Sequence, residues 1–308
     1  MKALVIGTSF MDCKGRVRGS YDPIGRNVGS VELVRGGVGR NVAVNMAHLG
    51  VEVSFVSSVD KSAFGNDILT ALSAEGINRE GVAVVRSGGM GIWVAVTDRN
   101  GELVSSVSQM PDTKYMEESF DEKGEALVRD ADFVVLEIDL GLSLVNKVKK
   151  CAARYGKRVY SLPANLETVA EDRTVLNGLE CFICNDIEAG VLFDTDLRSL
   201  TPDEVMDTVR SRAHETGAGI LIVTMAERGS VYCDTRSGEY GRCEAVKTQV
   251  KDTTGAGDSF CAGVISGVTA GLSLKEALEV GSYVSSCTVA CLGPVCDELP
   301  DDLRERFA

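Results

Sequence analysis

Asp252-Thr253-Thr254-Gly255-Ala256-Gly257-Asp258-Ser259-Phe260 is the stretch from which the rest of the chain is read, and an apolar helical pattern, CAGVISGVTAG, follows it. Gly255-Ala256-Gly257 would present consecutive backbone N–H groups where that helix starts. Such a turn is an anion-binding nest, reinforced by the positive end of the helix dipole. A carboxylate in the same turn would repel an anion that the loop merely held. Asp258 makes sense instead as a base beside a phosphate about to leave. The competing reading is that Asp258 caps the helix, which needs an oxygen but not two flanking glycines and two threonines.

Outward from this turn, short apolar runs alternate with longer helical patterns. Strands are predicted over 3–7, 53–59, 92–97, 103–107, 133–137, 158–162, 181–184, 220–224 and 230–233. Helices are predicted over 41–49, 64–74, 142–155, 201–214, 259–270 and 274–291. Strand–helix alternation argues an α/β chain whose mostly parallel sheet is covered on both faces. Two regions break the rhythm. Residues 13–35 contain a polar loop followed by the strand-like VELV (31–34), and residues 92–110 carry two strands around Arg99-Asn100-Gly101, a hairpin signal. Both read as a small antiparallel β element off the main sheet. The expected organisation is a core of residues 1–12, 36–91 and 111–308 with a β lid of residues 13–35 and 92–110.

A second glycine-rich run, Gly36-Gly37-Val38-Gly39-Arg40-Asn41-Val42-Ala43, opens the helix that ends at Leu49-Gly50. Close backbone approach to a ligand and amides at a helix start would suit a polar small molecule, although a plain helix-starting turn reads as well. It is not the dinucleotide fingerprint, since Val42 stands where the third glycine belongs. The G-x-x-x-x-G-K-[ST] phosphate loop and the protein-kinase motif set are absent as well.

Composition narrows the class. The chain has 308 residues, 44% hydrophobic and 25% charged, with a formal net charge of −13. It can bury a large core, and its acidity excludes nucleic acid and anionic membrane as natural partners. No run approaches the roughly 18 apolar residues of a membrane span, and MKALVIGTSF lacks the features of a signal peptide. Ten cysteines, most of them within apolar segments such as CFIC and SSCTVAC, point to a reducing, cytoplasmic setting. Cys181 and Cys184 have the spacing of half a zinc knuckle with nothing to complete it, so buried thiols are expected.

Together the two glycine signatures, GGVGRNVAVNMAHLG (36–50) and DTTGAGDSFCAG (252–263), resemble those of the ribokinase-like, or PfkB, carbohydrate and nucleoside kinases. Lesser marks fall in the family's order: the opening strand followed by Gly7-Thr8-Ser9-Phe10-Met11-Asp12, the run Asn185-Asp186-Ile187-Glu188, and Val223-Thr224-Met225-Ala226-Glu227-Arg228-Gly229. Within the family, the Gly-Arg-Asn form of the first signature, Asp12-Cys13-Lys14-Gly15, Asn27-Val28-Gly29-Ser30-Val31 and TDRNGELVSSVSQM are similar to the pseudouridine kinase branch.

The resemblance implies a three-layer ribokinase-like fold with a small β-sheet lid, and an ATP-dependent kinase acting on a primary hydroxyl, foremost the 5′-hydroxyl of pseudouridine. Asp258 would be the catalytic base, with the amides of Gly255, Ala256 and Gly257 as anion hole. Asp12, Gly37 and Asn41 would bind ribose hydroxyls, with Glu137 and Asp139 as further substrate contacts; Arg40 reads equally as substrate ligand or solvated charge. Asn185, Thr224, Gly229, Thr254 and Gly257 would face the nucleotide. Asn185 and Glu188 would hold Mg²⁺ through water, and Asp252 and Thr254 would lie by a monovalent cation such as K⁺. The lid would close over a small-molecule substrate, and its open edges would pair in a homodimer. Departures from the family pattern fall at Ala226, Leu162, Ile183 and Cys184, on the nucleotide side. A sugar kinase acting on ribose, a hexose phosphate or a sugar acid, and a silent ligand-binding protein on this scaffold, are the competing readings. Phe10, Tyr21 and Trp93 are the candidate base-stacking aromatics of a nucleoside site.

Overall fold

The computed structural model describes residues 1–296, 299, 300 and 303; the remaining positions at the end of the expected core segment lie outside the described residues. In chain order the strands of the large sheet are β1 (Lys2–Ile6), β4 (Glu52–Asp60), β5 (Asn78–Val85), β8 (Phe133–Glu137), β9 (Arg158–Leu162), β10 (Cys181–Asn185), β11 (Ile220–Thr224), β12 (Ser230–Asp234) and β13 (Tyr240–Cys243). The small sheet takes β2 (Phe10–Val17), β3 (Gly29–Gly36), β6 (Gly91–Thr97) and β7 (Leu103–Gln109). Across the large sheet the order is β13-β12-β11-β10-β9-β8-β1-β4-β5. It is parallel from β5 to β11, and β12 and β13 join antiparallel.

Strand alternation sorts the core into two layers. Leu4, Ile6, Val134, Leu136, Phe182, Leu221 and Val223 pack with α3 (Lys114–Ser119), α4 (Glu125–Asp130), α5 (Leu142–Arg154), α6 (Glu167–Glu171), α7 (Asp186–Phe193) and α8 (Pro202–Arg212). Ala3, Val5, Phe133, Val135, Ile183, Ile220 and Ile222 face the other way, against α1 (Val38–His48), α2 (Ala63–Ala74), α9 (Ala256–Thr269) and α10 (Leu274–Val289). This is the three-layer ribokinase-like arrangement. The odd offset between Cys181 and Cys184 puts them in opposite layers, so the two thiols are buried on different faces and do not meet.

Several details differ from the sequence-based expectation. The small sheet is mixed rather than antiparallel, because β2 pairs in parallel with β6 as well as antiparallel with β3. It begins at Phe10, so Phe10, Met11 and Asp12 belong to it rather than to the core, and the β element expected at 13–35 is the antiparallel hairpin β2–β3. Polar, glycine-containing strands such as FMDCKGRV carry little periodic signal, and tertiary pairing decides them. Helix α1 starts at Val38, three residues earlier than the apolar pattern indicated, and α8 and α10 stop short at Arg212 and Val289. Strands β5 and β13, and the helices between Lys114 and Asp130 joined through a π turn at Phe120–Gly124, are additions.

Candidate active site

The site forms where β1, β2 and the starts of α1 and α9 converge. Glycines permit the approach. A Cβ on Gly39 would collide with the backbone of Gly7, and one on Gly37, at φ 98°, would meet the Thr8 carbonyl and Ser9. The end of β1 and the start of α1 are therefore in backbone contact, which no other residue type allows. Glu137, 2% exposed, clamps the same junction: its carboxylate accepts from the Thr8 amide at 2.8 Å, the Thr8 hydroxyl and the Gly39 amide at 3.1 Å. Burial pushes the Glu137 carboxyl up to about 7, against those hydrogen bonds and with the Asp258 charge adding to the rise.

Helix α1 then carries Arg40 and Asn41, both buried, into the crevice. The Asn41 Nδ2 donates to Asp258 Oδ2 at 2.8 Å. Asn45, one turn on, donates to the Asn41 carbonyl and so braces it. Arg40 Nη1 donates to the Arg35 carbonyl and to Asn41 Oδ1, and its charge acts on both Asp12 and Asp258. Arg40 also walls a cavity of about 500 Å³ with Met11, Arg35, Phe64, Asp67 and Pro294; neither Asp12 nor Asp258 lines that space, which lies beside the transfer crevice.

Asp258 sits in the first turn of α9, after Gly255 at φ 75°. The backbone there presses against Pro294, where a Cβ on Gly255 would clash. Among the described residues no side chain caps the start of this helix, and Asp258 does not take the capping role. Its carboxyl is half-buried, and burial pushes it up to about 6 despite the Asn41 hydrogen bond and the Arg40 charge. Among the described residues the amides of Gly255, Gly257 and Asp258 have no acceptor, whereas Ala256 closes a turn on the Thr253 carbonyl at 3.3 Å. A Cβ at Gly257 would project into open space. The nest is thus open to an incoming oxyanion chiefly through Gly255 and Gly257.

Asp12, on β2, is 7% exposed. Burial raises its carboxyl, and the charges of Lys14 and Arg40 oppose the rise. In the parallel register Asp12 stands beside Trp93, so the two project from one face of the small sheet. Phe10 packs over Gly91 at the start of the same strand pair, while Tyr21 lies half-buried in the turn between β2 and β3. Lys14, two residues on from Asp12, reaches down from that face to the glycine loop: Nζ donates to Asp252 Oδ2 at 3.1 Å and to Thr254 Oγ1 at 3.2 Å. Thr254 in turn donates its hydroxyl to Asp252 Oδ1 at 2.6 Å and its amide at 2.9 Å.

On the other side of the crevice, Asn185 and Glu188 form a reciprocal cap on α7. Asn185 Oδ1 accepts from the Glu188 amide at 2.9 Å, and Glu188 Oε2 accepts from the Asn185 amide at 2.8 Å. Burial raises the Glu188 carboxyl, and the nearby charges of Asp139 and Asp258 add to the rise. Among the described residues no three His, Cys, Asp or Glu side chains gather closely enough to chelate a metal. The Glu188 carboxylate with the charges of Asp139 and Asp258 near it is donor chemistry that fits a hydrated Mg²⁺. Thr224 lies in register with Asn185, donating to the Cys184 carbonyl at 3.4 Å. Asp139 is spent on the framework, where it accepts from the amides of Ala164, Asn165, Leu166 and Thr168. The turn after Thr224 closes through Met225 and Gly229, the latter at φ 86°, and Arg228 anchors it to Asp186 and the Leu200 carbonyl. Ala226 is held there at φ 51°, a left-handed conformation.

Sequence reasoning named Asp12, Gly37, Arg40, Asn41 and Asp258, and the fold brings them together. It passed over Thr8, Asn45 and the bridging role of Lys14. The Asn41/Asn45 spacing of one helical turn was a usable signal; the reach of Lys14 across the chain was not.

The whole architecture has known counterparts. Residues 1–301 match the pfkB family carbohydrate kinase description. The chain is 34% identical over 289 residues to a guanosine-inosine kinase of Exiguobacterium acetylicum, covering 94% of both proteins. It is 25% identical over 288 residues to a pseudouridine kinase of Escherichia coli (strain K12), covering 94% of this chain and 90% of that one. Its fold superimposes on Arabidopsis thaliana ribokinase, complexed with ribose and ATP, at a TM-score of 0.82 and 20% identity, over 99% and 98% of the two chains. With the open amide nest, the Asp258 carboxylate beside it and a family match across almost its full length, the chain belongs to the pfkB family of carbohydrate kinases, enzymes that pass a phosphoryl group to an alcohol.

Proposed function

We propose that the protein phosphorylates the 5′-hydroxyl of a ribonucleoside with ATP. The observation that carries this reading is Trp93 in register with Asp12 on one face of the small sheet. A carboxylate for ribose hydroxyls and an indole for base stacking, side by side, suit a nucleoside better than a bare sugar. The similarity to a guanosine-inosine kinase favours a purine nucleoside. Pseudouridine is the second reading, supported by the likeness to the Escherichia coli enzyme and by the Gly39-Arg40-Asn41 form of the first signature.

In this mechanism Asp258 accepts the proton of the 5′-hydroxyl as its oxygen bonds to the γ-phosphorus and the bond to the leaving ADP breaks. Asn41 holds the Asp258 carboxylate in position, and the Gly255 and Gly257 amides meet the charge on the moving phosphoryl group. Mg²⁺, held through water by Asn185 and Glu188, would neutralise phosphate oxygens. The small sheet acts as the lid that excludes water. Its other face carries exposed Val31, Leu33, Val94 and Val107, which a second copy of the chain would cover in a homodimer. A reducing cytoplasmic setting fits ten cysteines that remain thiols; no helix among the described residues is long and apolar enough to cross a membrane.

The test is ADP formation across guanosine, inosine, pseudouridine, other nucleosides, ribose and fructose 6-phosphate. A nucleoside should lead in kcat/KM by about tenfold or more, equivalent to about 1.4 kcal/mol at the transition state. A sugar or sugar phosphate leading by that margin would overturn the nucleoside assignment.

A further inference from the structure

The family resemblance leads one to expect a diffusible monovalent cation at Asp252 and Thr254. The residues present do not fit one. Asp252 Oδ2 and Thr254 Oγ1 already receive the Lys14 ammonium, at 3.1 and 3.2 Å, and Asp252 Oδ1 is taken by the Thr254 hydroxyl and amide. The Lys14 and Asp252 side chains are each only 24% exposed, so the pair is shielded from competing ions. A second positive ion would have to share one carboxylate with a fixed ammonium close by, which Coulomb repulsion opposes.

We propose that Lys14 is a tethered cation: its ammonium takes the place of a monovalent ion at Asp252 and Thr254 and links the small sheet to the glycine loop. The sequence separation makes the link consequential. Lys14 belongs to β2, in the strand that carries Asp12, whereas Asp252 and Thr254 lead directly into Gly255 and the first turn of α9. The same strand thus presents a carboxylate to the substrate and a cation to the phosphate nest. When the small sheet seats over substrate, the ammonium seats with it and orders the loop whose amides receive the phosphoryl charge. Lys14 is a positioning residue in this scheme, acting through Asp252 and Thr254. The kinetic part of the idea rests on the kinase reading above; the stability part does not.

The experiment compares the native protein with Lys14→Met and Lys14→Arg in KCl and in tetramethylammonium chloride at equal ionic strength. Melting temperature and ADP formation are recorded in each. The native protein should be indifferent to the choice of cation in both readouts. Lys14→Met should melt at least about 3 °C higher in KCl than in tetramethylammonium chloride, and K⁺ should raise its turnover about tenfold or more. Lys14→Arg, which keeps the charge, should remain indifferent. Activation of the native protein by K⁺ of about tenfold, or a Lys14→Met melting point no more responsive to K⁺ than the native one, would overturn the proposal. Should no acceptor be turned over at all, the nucleoside kinase assignment falls while the melting comparison still decides the role of Lys14.

Discussion

Replacing Asp258 by Asn separates a catalytic carboxylate from a structural one, because the two roles predict opposite signs. Asn is nearly isosteric, and its Oδ1 can still accept the hydrogen bond that Asn41 Nδ2 now gives to Asp258. It cannot take up a proton, so turnover should fall about 10²- to 10⁴-fold. Stability should rise. Burial lifts the Asp258 carboxyl from 3.8 to about 6, so near pH 7.5 the folded protein carries an ion it disfavours. A shift of that size corresponds to at most about 3 kcal/mol. Partial contact with solvent reduces it to roughly 1–2 kcal/mol, or a gain of about 2–3 °C in melting temperature for a chain of this size. The sign follows from linkage. A carboxylate raised in the folded state destabilises above its folded pKa, and the penalty is relieved as pH falls from about 6 towards 3.8. The advantage of the Asn variant should therefore shrink between pH 7.5 and 4.5. The assay pairs single-turnover rates with melting curves at both pH values. A rate loss below about tenfold, or an Asn variant less stable than the native protein at pH 7.5, would refute the reasoning.

Three further outcomes follow from the same geometry. Because the base must be ionised, log kcat/KM should be level at alkaline pH and fall with unit slope below about pH 6, the value of the Asp258 carboxyl; a profile flat down to pH 5 would point to another base. Ala226→Gly should raise the melting temperature by about 1–2 °C, since Ala at φ 51° carries left-handed strain of about 1 kcal/mol that Gly does not. A lower melting point would show the turn to be unstrained. Trp93→Ala should raise KM for the best nucleoside by about tenfold, from the roughly 1–3 kcal/mol of base stacking, with ribose turnover unchanged; an equal loss on both substrates would remove Trp93 from base recognition.

The local chemistry of this protein was written in the order of its residues. Gly255, Ala256, Gly257 and Asp258 lie next to one another, so an anion nest with a carboxylate needs no tertiary information to be recognised. Alternating apolar runs likewise identified the covered parallel sheet, because burial on both faces leaves continuous hydrophobic strands such as Phe133–Glu137. What the sequence could not supply were interactions whose energy comes from residues far apart in the chain. The parallel pairing of β2 with β6, which sets Asp12 beside Trp93, joins a polar strand of weak intrinsic preference, FMDCKGRV, to a distant apolar one, GIWVAVT. Glu137 looked like a strand-end carboxylate, yet its hydrogen bonds to Thr8 and Gly39 cross about 130 and 100 positions. Asn185 and Glu188 showed a spacing that serves a helix cap as well as a metal, and only their neighbours Asp139 and Asp258 reveal the charge gathered there. Lys14 is the extreme case. Lys14 stands in the run Asp12-Cys13-Lys14-Gly15, but nothing in that run names its partner Asp252, which lies 238 residues away. Such a pairing exists only once the small sheet has folded over the glycine loop, because a side-chain ion pair gains its energy from proximity that the chain order does not encode.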